Sequence, residues 1–111
     1  MAIDNIKVID GMGTNSEQDA IMLLLCDHLP WEGEGAPKIA DHLLLLQKKI
    51  NVYVAFLESG QYKEKYHDLE PKMAVIDIRF KYDIPEMCER FLQAMQDQVG
   101  EIGIKIEAHI G

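Results

Sequence analysis

The stretch DHLPWEGEGAPKIADHL, residues 27–43, gathers the side chains best able to do chemistry. Asp27-His28 and Asp41-His42 bracket the single tryptophan, Trp31, and a loop carrying Glu32 and Glu34. Imidazole nitrogens and carboxylate oxygens are the donors that zinc and related ions take. His28, Asp41 and His42 are therefore a candidate metal or ligand set, provided the end of a strand packs on the start of a helix, with Trp31 walling the pocket. Against this, a loop separates the donors, and no H-x-x-x-H or C-x-x-C spacing presets two ligands on one rigid element. Neighbouring Asp27 and His28 also point to opposite faces for as long as the strand continues. The plainer alternative has Trp31 closing the end of the core. Asp41 then favours the positive start of a helix and His42 makes a local hydrogen bond. Trp31, Glu32 and Glu34 become an interaction surface instead.

No other constellation supports catalysis. Ser16 and Ser59 lack a G-x-S-x-G context, and neither Cys26 nor Cys88 has an obvious activating environment. GMG at 11–13 lacks the later glycine, the lysine and the helix start of a phosphate loop. The acidic pairs Glu32/Glu34 and Asp68/Glu70 sit in polar loops, where solvated acids make poor general acids. No catalytic residue and no cofactor is expected, and enzymatic activity is the less favoured reading.

The elements that must position these residues are legible from periodicity. Residues 5–12 read as a short strand and GTNSEQD as the turn after it. DAIMLLLCDHL, 19–29, is continuously apolar, as in a central strand covered on much of both faces. The short turn favours an antiparallel hairpin. From Pro37, suited to a helix first turn, Ile39, Leu43, Leu46, Ile50, Tyr53 and Leu57 recur at steps of three and four, one helical stripe. Gly60 is the expected C-terminal cap. Leu44, Leu45, Val52 and Phe56 lie off that stripe, interrupted by Lys48 and Lys49. A helix apolar over so much of its girth calls for a second partner, and self-association through Leu44, Leu45 and Phe56 is expected.

After a polar connector at 61–71, KMAVIDIRFKYD alternates: Ala74, Ile76, Ile78, Phe80 and Tyr82 on one face, Asp77, Arg79 and Lys81 on the other. Asp83, Pro85 and Glu86 resemble a helix start with a capping box. Met87, Phe91, Met95 and Val99 are its expected inner stripe, ending at Gly100. Residues 102–110 alternate again, with Lys105, Glu107 and His109 outward. The order β-β-α-β-α-β predicts a single α+β domain over 1–111, a two-layer sandwich with two helices on one face of a four-stranded sheet.

Bulk properties narrow the class. The chain has 111 residues, 48% of them hydrophobic, and a net charge of −8 from 11 basic and 19 acidic residues. Such a chain repels phosphate backbones and anionic membranes, so neither nucleic acid nor membrane is an expected partner. A basic protein fits better. No run reaches the roughly 18 apolar residues of a membrane span, and no secretory leader is visible. Two cysteines without motif spacing read as buried small hydrophobes. A cytoplasmic location is expected.

DHLPW, then HLLLLQKKINVYVAFLESGQ, then IDIRFKY resembles a family of short bacterial proteins known only as a domain of unknown function. The shared pattern falls on Asp27, His28 and Trp31; on His42, Leu43, Leu46, Gln47, Lys49, Ile50, Asn51 and Tyr53; and on Glu58, Ser59 and Gly60. The resemblance implies a bacterial cytoplasmic protein and supplies no activity. It adds the polar helix positions Gln47, Lys49 and Asn51 to the interaction candidates. The sequence thus points to a small acidic module that binds itself, as a homodimer, and a basic protein. An inhibitor or immunity-type role belongs to that class. The competing class is a metal- or small-ligand-binding protein using the His28/Asp41/His42 junction.

Overall fold

The computed structural model describes residues 8–15, 19–64 and 71–111. Strand β1, Gly11–Asn15, forms an antiparallel hairpin with β2, Ala20–Asp27. The long helix α1, Ile39–Ser59, then leads to β3, Met73–Phe80, which lies beside β2 and parallel to it. Helix α2, Glu86–Val99, leads to β4, Ile104–Ile110, parallel to β3. The sheet order is β1-β2-β3-β4. This is the expected α+β order.

One core explains the layering. Ile21, Leu23 and Leu25 of β2, Ile76, Ile78 and Phe80 of β3 and Ile104 of β4 meet Leu46, Ile50 and Tyr53 of α1 and Cys88, Leu92, Met95 and Val99 of α2. Alternate strand positions supply all the sheet residues, so both helices lie on the face those positions define.

Several boundaries differ from expectation. The first strand is Gly11–Asn15: residues 8–10 precede it, Gly13, Thr14 and Asn15 belong to it instead of to the expected turn, and residues 1–7 and 16–18 lie outside the described set. Helix α1 begins at Ile39, with Pro37 and Lys38 preceding it, and closes as expected on Gly60, whose φ of 76° is left-handed. The connector opens with a 3-10 turn at Gln61–Glu64, and residues 65–70 lie outside the described set. Asp83 does not cap α2: Pro85 occupies the cap position, and no side chain bonds there. The α2 stripe is also rotated by one residue. Cys88 and Leu92 are buried in place of Met87, which is 55% exposed, and Phe91, which is half-buried. The last strand starts at Ile104, leaving Ile102 exposed in a 3-10 turn. Tyr82 lies past the end of β3 and is exposed rather than core.

The sheet face away from the helices carries a charged ladder, because β3 and β4 are neighbours and their outward residues meet. Asp77 and Glu107 stand opposite each other in register, an unfavourable like-charge pair. Contacts along each strand and across it answer it: Asp77 accepts from Arg79 of its own strand at 2.9 Å, His109 lies diagonally 3.4 Å from Asp77, and Lys105 lies 3.4 Å from Glu107 of its own strand. Lys81 lies beyond the strand and takes no part in these pairs.

Candidate functional site

Parallel strands β2 and β3 end together, with Asp27 in register with Phe80. The chain leaves β2 through residues 28–38 and leaves β3 through residues 81–85, each time into a helix. The carboxyl ends of parallel strands are where α/β sheets habitually place ligand crevices. Between these two connections lies a cleft of about 700 Å³, within the range of ligand-binding clefts. One wall is Pro30, Trp31, Glu32, Glu34 and Ile39; the other is Tyr82, Asp83, Ile84 and Pro85. A second depression, of about 170 Å³ near Leu57 and Tyr62, lies at the other end of the strands and has no comparable cluster of acids and aromatic rings.

The charge of the cleft follows from its lining. Glu32, Glu34 and Asp83 are acidic, and no lining residue is basic. Helices α1 and α2 both begin at this end, and each N-terminus is worth about half a positive charge. The carboxylates of the lining outweigh those two half-charges. Asp41 in α1 and Glu86 and Glu89 in α2 already complement the helix starts. At the rim, Lys81 Nζ sits 5.5 Å from the centre of the Tyr82 ring, a cation held on an aromatic face.

Trp31 forms the inner wall and is only 8% exposed. Its ring stacks on His42, with centroids 3.5 Å apart and an interplanar angle of 11°, and tilts against Phe80. Behind it, His42 Nε2 meets Asp27 Oδ2 at 2.6 Å, both side chains fully buried. A carboxylate only accepts, so Nε2 carries the hydrogen. Asp27 Oδ1 accepts the Leu29 N–H at 3.1 Å, which fixes the turn out of β2. His42 Nδ1 is buried with no hydrogen-bond partner among the described residues. The local pattern explains the pairing: Asp27 is in phase with Leu23 and Leu25 on the helix-facing side, and His42 stands one turn before Leu46.

A second buried cluster lies further along α1. Lys49 Nζ donates to Asp10 Oδ1 at 2.8 Å, both side chains fully buried. Asp10 Oδ2 accepts the Cys26 N–H at 2.8 Å, and the Tyr53 hydroxyl accepts the Asp10 N–H at 2.9 Å while donating to the Leu24 carbonyl. Burial pushes the Tyr53 phenol up, and burial together with Asp10 raises the Cys26 thiol. This cluster clamps the approach to β1 onto α1 and β2. Cys88, beneath the sheet, is pushed up to about 12 by burial and by negative Asp27, so its thiol stays protonated and a poor nucleophile.

The structure therefore sorts the expected site residues. Trp31, Glu32 and Glu34 share one cleft wall. His28, Asp41 and His42 do not converge: His28 and Asp41 are exposed, and His42 is buried against Asp27. No group of three His, Cys, Asp or Glu among the described residues could hold a metal ion. Gln47 and Asn51 are exposed on α1, whereas Lys49 is buried in the clamp. Leu44 is 47% exposed, but Leu45 and Phe56 pack against the core, so the second apolar face of α1 is narrower than its sequence suggests. Sequence reasoning missed Tyr82, Asp83, Ile84 and Pro85, the opposite wall. The available signal was that two parallel strands must bring their following loops together.

A family model described as a family of unknown function (DUF6572) matches residues 1–111, and the chain belongs to that family. Comparison with curated proteins gave no match, nor did comparison with solved structures.

Proposed function

For a chain whose family brings no activity with it, we propose a non-catalytic interaction protein that holds a basic segment of another protein in the cleft between the two strand-to-helix loops. The observation that carries this reading is the lining: Glu32, Glu34 and Asp83 beside Trp31 and Tyr82, with no basic residue among them. Carboxylates beside aromatic faces suit a lysine or arginine side chain, which gains from both the charge and the ring quadrupole. The net charge of −8 adds long-range attraction for a basic partner. An inhibitor or immunity-type role against such a partner falls within the proposal. The free cysteines, Cys26 and Cys88, suit a reducing compartment such as the cytoplasm.

Titrating the full chain with a lysine- and arginine-rich peptide, followed by Trp31 fluorescence, tests the reading, with an acidic peptide of equal length as control. Saturable binding of the basic peptide alone is expected. Glu32→Gln/Glu34→Gln should weaken it roughly 3- to 10-fold, the scale of losing partly exposed ion pairs. Equal binding by that variant, or no binding of basic peptides, would remove the reading.

A further inference from the structure

The β4 edge of the sheet is half closed and half open, and the open half is complementary to itself. The Gly103 carbonyl accepts from Ala74 N–H, and Gly111 N–H donates to the Phe80 carbonyl, so odd-numbered residues of this segment direct their backbone groups at β3. Even-numbered residues, Ile104, Ile106, Ala108 and Ile110, direct theirs at the free edge. The side-chain amide of Gln96 covers the first part of that edge as a short strand would. Its Nε2 donates to the Ile104 carbonyl at 3.1 Å, and its Oε1 accepts the Ile106 N–H at 2.7 Å. Beyond that point, no group among the described residues bonds the outward Ile106 carbonyl, the Ala108 N–H and carbonyl, or the Ile110 N–H. A groove of about 360 Å³ runs beside them, lined by Ile106, Ala108 and Ile110 of β4 and by Leu92 of α2. Ile110 is 50% exposed.

We infer that this open half-edge pairs antiparallel with the same half-edge of a second copy, about a two-fold axis at Ala108. In that register, Ala108 N–H and carbonyl bond Ala108 of the second copy. The Ile110 N–H donates to the Ile106 carbonyl of the second copy, and the reverse bond forms by symmetry. The Ile106 N–H, held by Gln96, is not needed. On the helix-facing side, Ile110 lies beside Ile106 of the second copy and covers the groove. On the other side, Glu107 stands directly opposite His109 of the second copy, a complementary cross-strand pair. A self-complementary patch of this kind makes a closed two-fold dimer. Any other extended chain could satisfy the backbone groups, but the Glu107/His109 match and the run centred on the small Ala108 select a second copy. The opposite edge, β1, offers only five residues, two of them glycine.

Gel filtration with light scattering on the full chain reads the result. The expected mass is twice that of the 12.6 kDa chain. Ala108→Pro removes the central outward N–H and breaks no bond inside the sheet, so the mass should halve while the circular dichroism stays unchanged. Glu107→Cys/His109→Cys reads the register independently of that variant's folding. Its thiols face each other across the axis at a Cα separation of about 4.5 Å, close enough to bridge. A disulfide-linked dimer is expected on mild oxidation, and none for Lys105→Cys/Glu107→Cys or the wild type. A wild type that stays monomeric at millimolar concentration, an Ala108→Pro chain that stays dimeric, or equal cross-linking in both cysteine pairs would overturn the inference.

Discussion

Lys49 and His42 have surroundings that their residue types do not suggest. Both lie on the buried stripe of α1, spaced with Leu46 and Tyr53 at helical steps, and each meets one aspartate. Positions 42, 46, 49 and 53 do share one helical face, but by residue type Lys49 reads as an interruption of the apolar positions and an interaction candidate, not as a buried group. What the sequence could not show was the partner, because Asp10 and Asp27 come from other elements and their approach depends on the fold. Breaking such a pair leaves a buried charge uncompensated, at a cost of about 3–5 kcal/mol. Lys49→Met should lower the unfolding free energy by that order in urea titrations. Asp10→Leu/Lys49→Met should recover much of the loss, because neither member of the pair then carries a charge. Cys88 gives a pH signature. Its folded value of about 12 lies above the ordinary 9.0 of a thiol, so the folded chain keeps a proton that the unfolded chain gives up. This contribution to stability is intact below about pH 9 and is lost as pH climbs towards 12. Cys26 and Tyr53, also raised, act in the same direction. Unfolding measured against pH should show stability falling above pH 9, less steeply in Cys88→Ala.

At the scale of elements, the period of each segment was informative and the phase less so. The alternation in β3 and β4 and the long stripe of α1 fixed their type and order. In α2, the expected stripe runs through Met87 and Phe91; the observed one runs through Cys88 and Leu92 and keeps Met95 and Val99. A thiol packs as a small apolar group, so Cys88 can take an inner position, with Leu92 one turn further along the same face. The consequence is measurable. Leu92→Ala should cost about 2–5 kcal/mol through lost burial and a residual cavity. Met87→Ala, on the exposed side, should change stability by less than about 0.5 kcal/mol. A larger loss at Met87 than at Leu92 would place the stripe back where its spacing first suggested.

At the scale of the whole molecule, the cleft is a product of topology. Trp31, Glu32 and Glu34 stand out in the sequence because of their types, but Tyr82 and Asp83 are about 50 residues away and read as the end of a strand and a helix cap. Only the parallel pairing of β2 with β3 brings the two loops to one edge. The metal set required the end of β2 to pack on the start of α1; the two do meet, but through Asp27 and His42, which leaves His28 and Asp41 exposed. If attraction to the acidic lining drives binding, affinity for a basic peptide should fall steadily as salt rises, since screening at physiological ionic strength acts over about 8 Å. No helix among the described residues is long and apolar enough to cross a membrane.

The most direct test of the central claim is where such a peptide sits, read from backbone amide chemical shifts of the labelled full chain during titration. The expected result is saturable shifts concentrated at residues 31–34 and 82–86, with the Trp31 indole among the largest. Shifts centred instead on the charged ladder of Asp77, Arg79 and His109, or none at all with excess peptide, would contradict the cleft as the binding site.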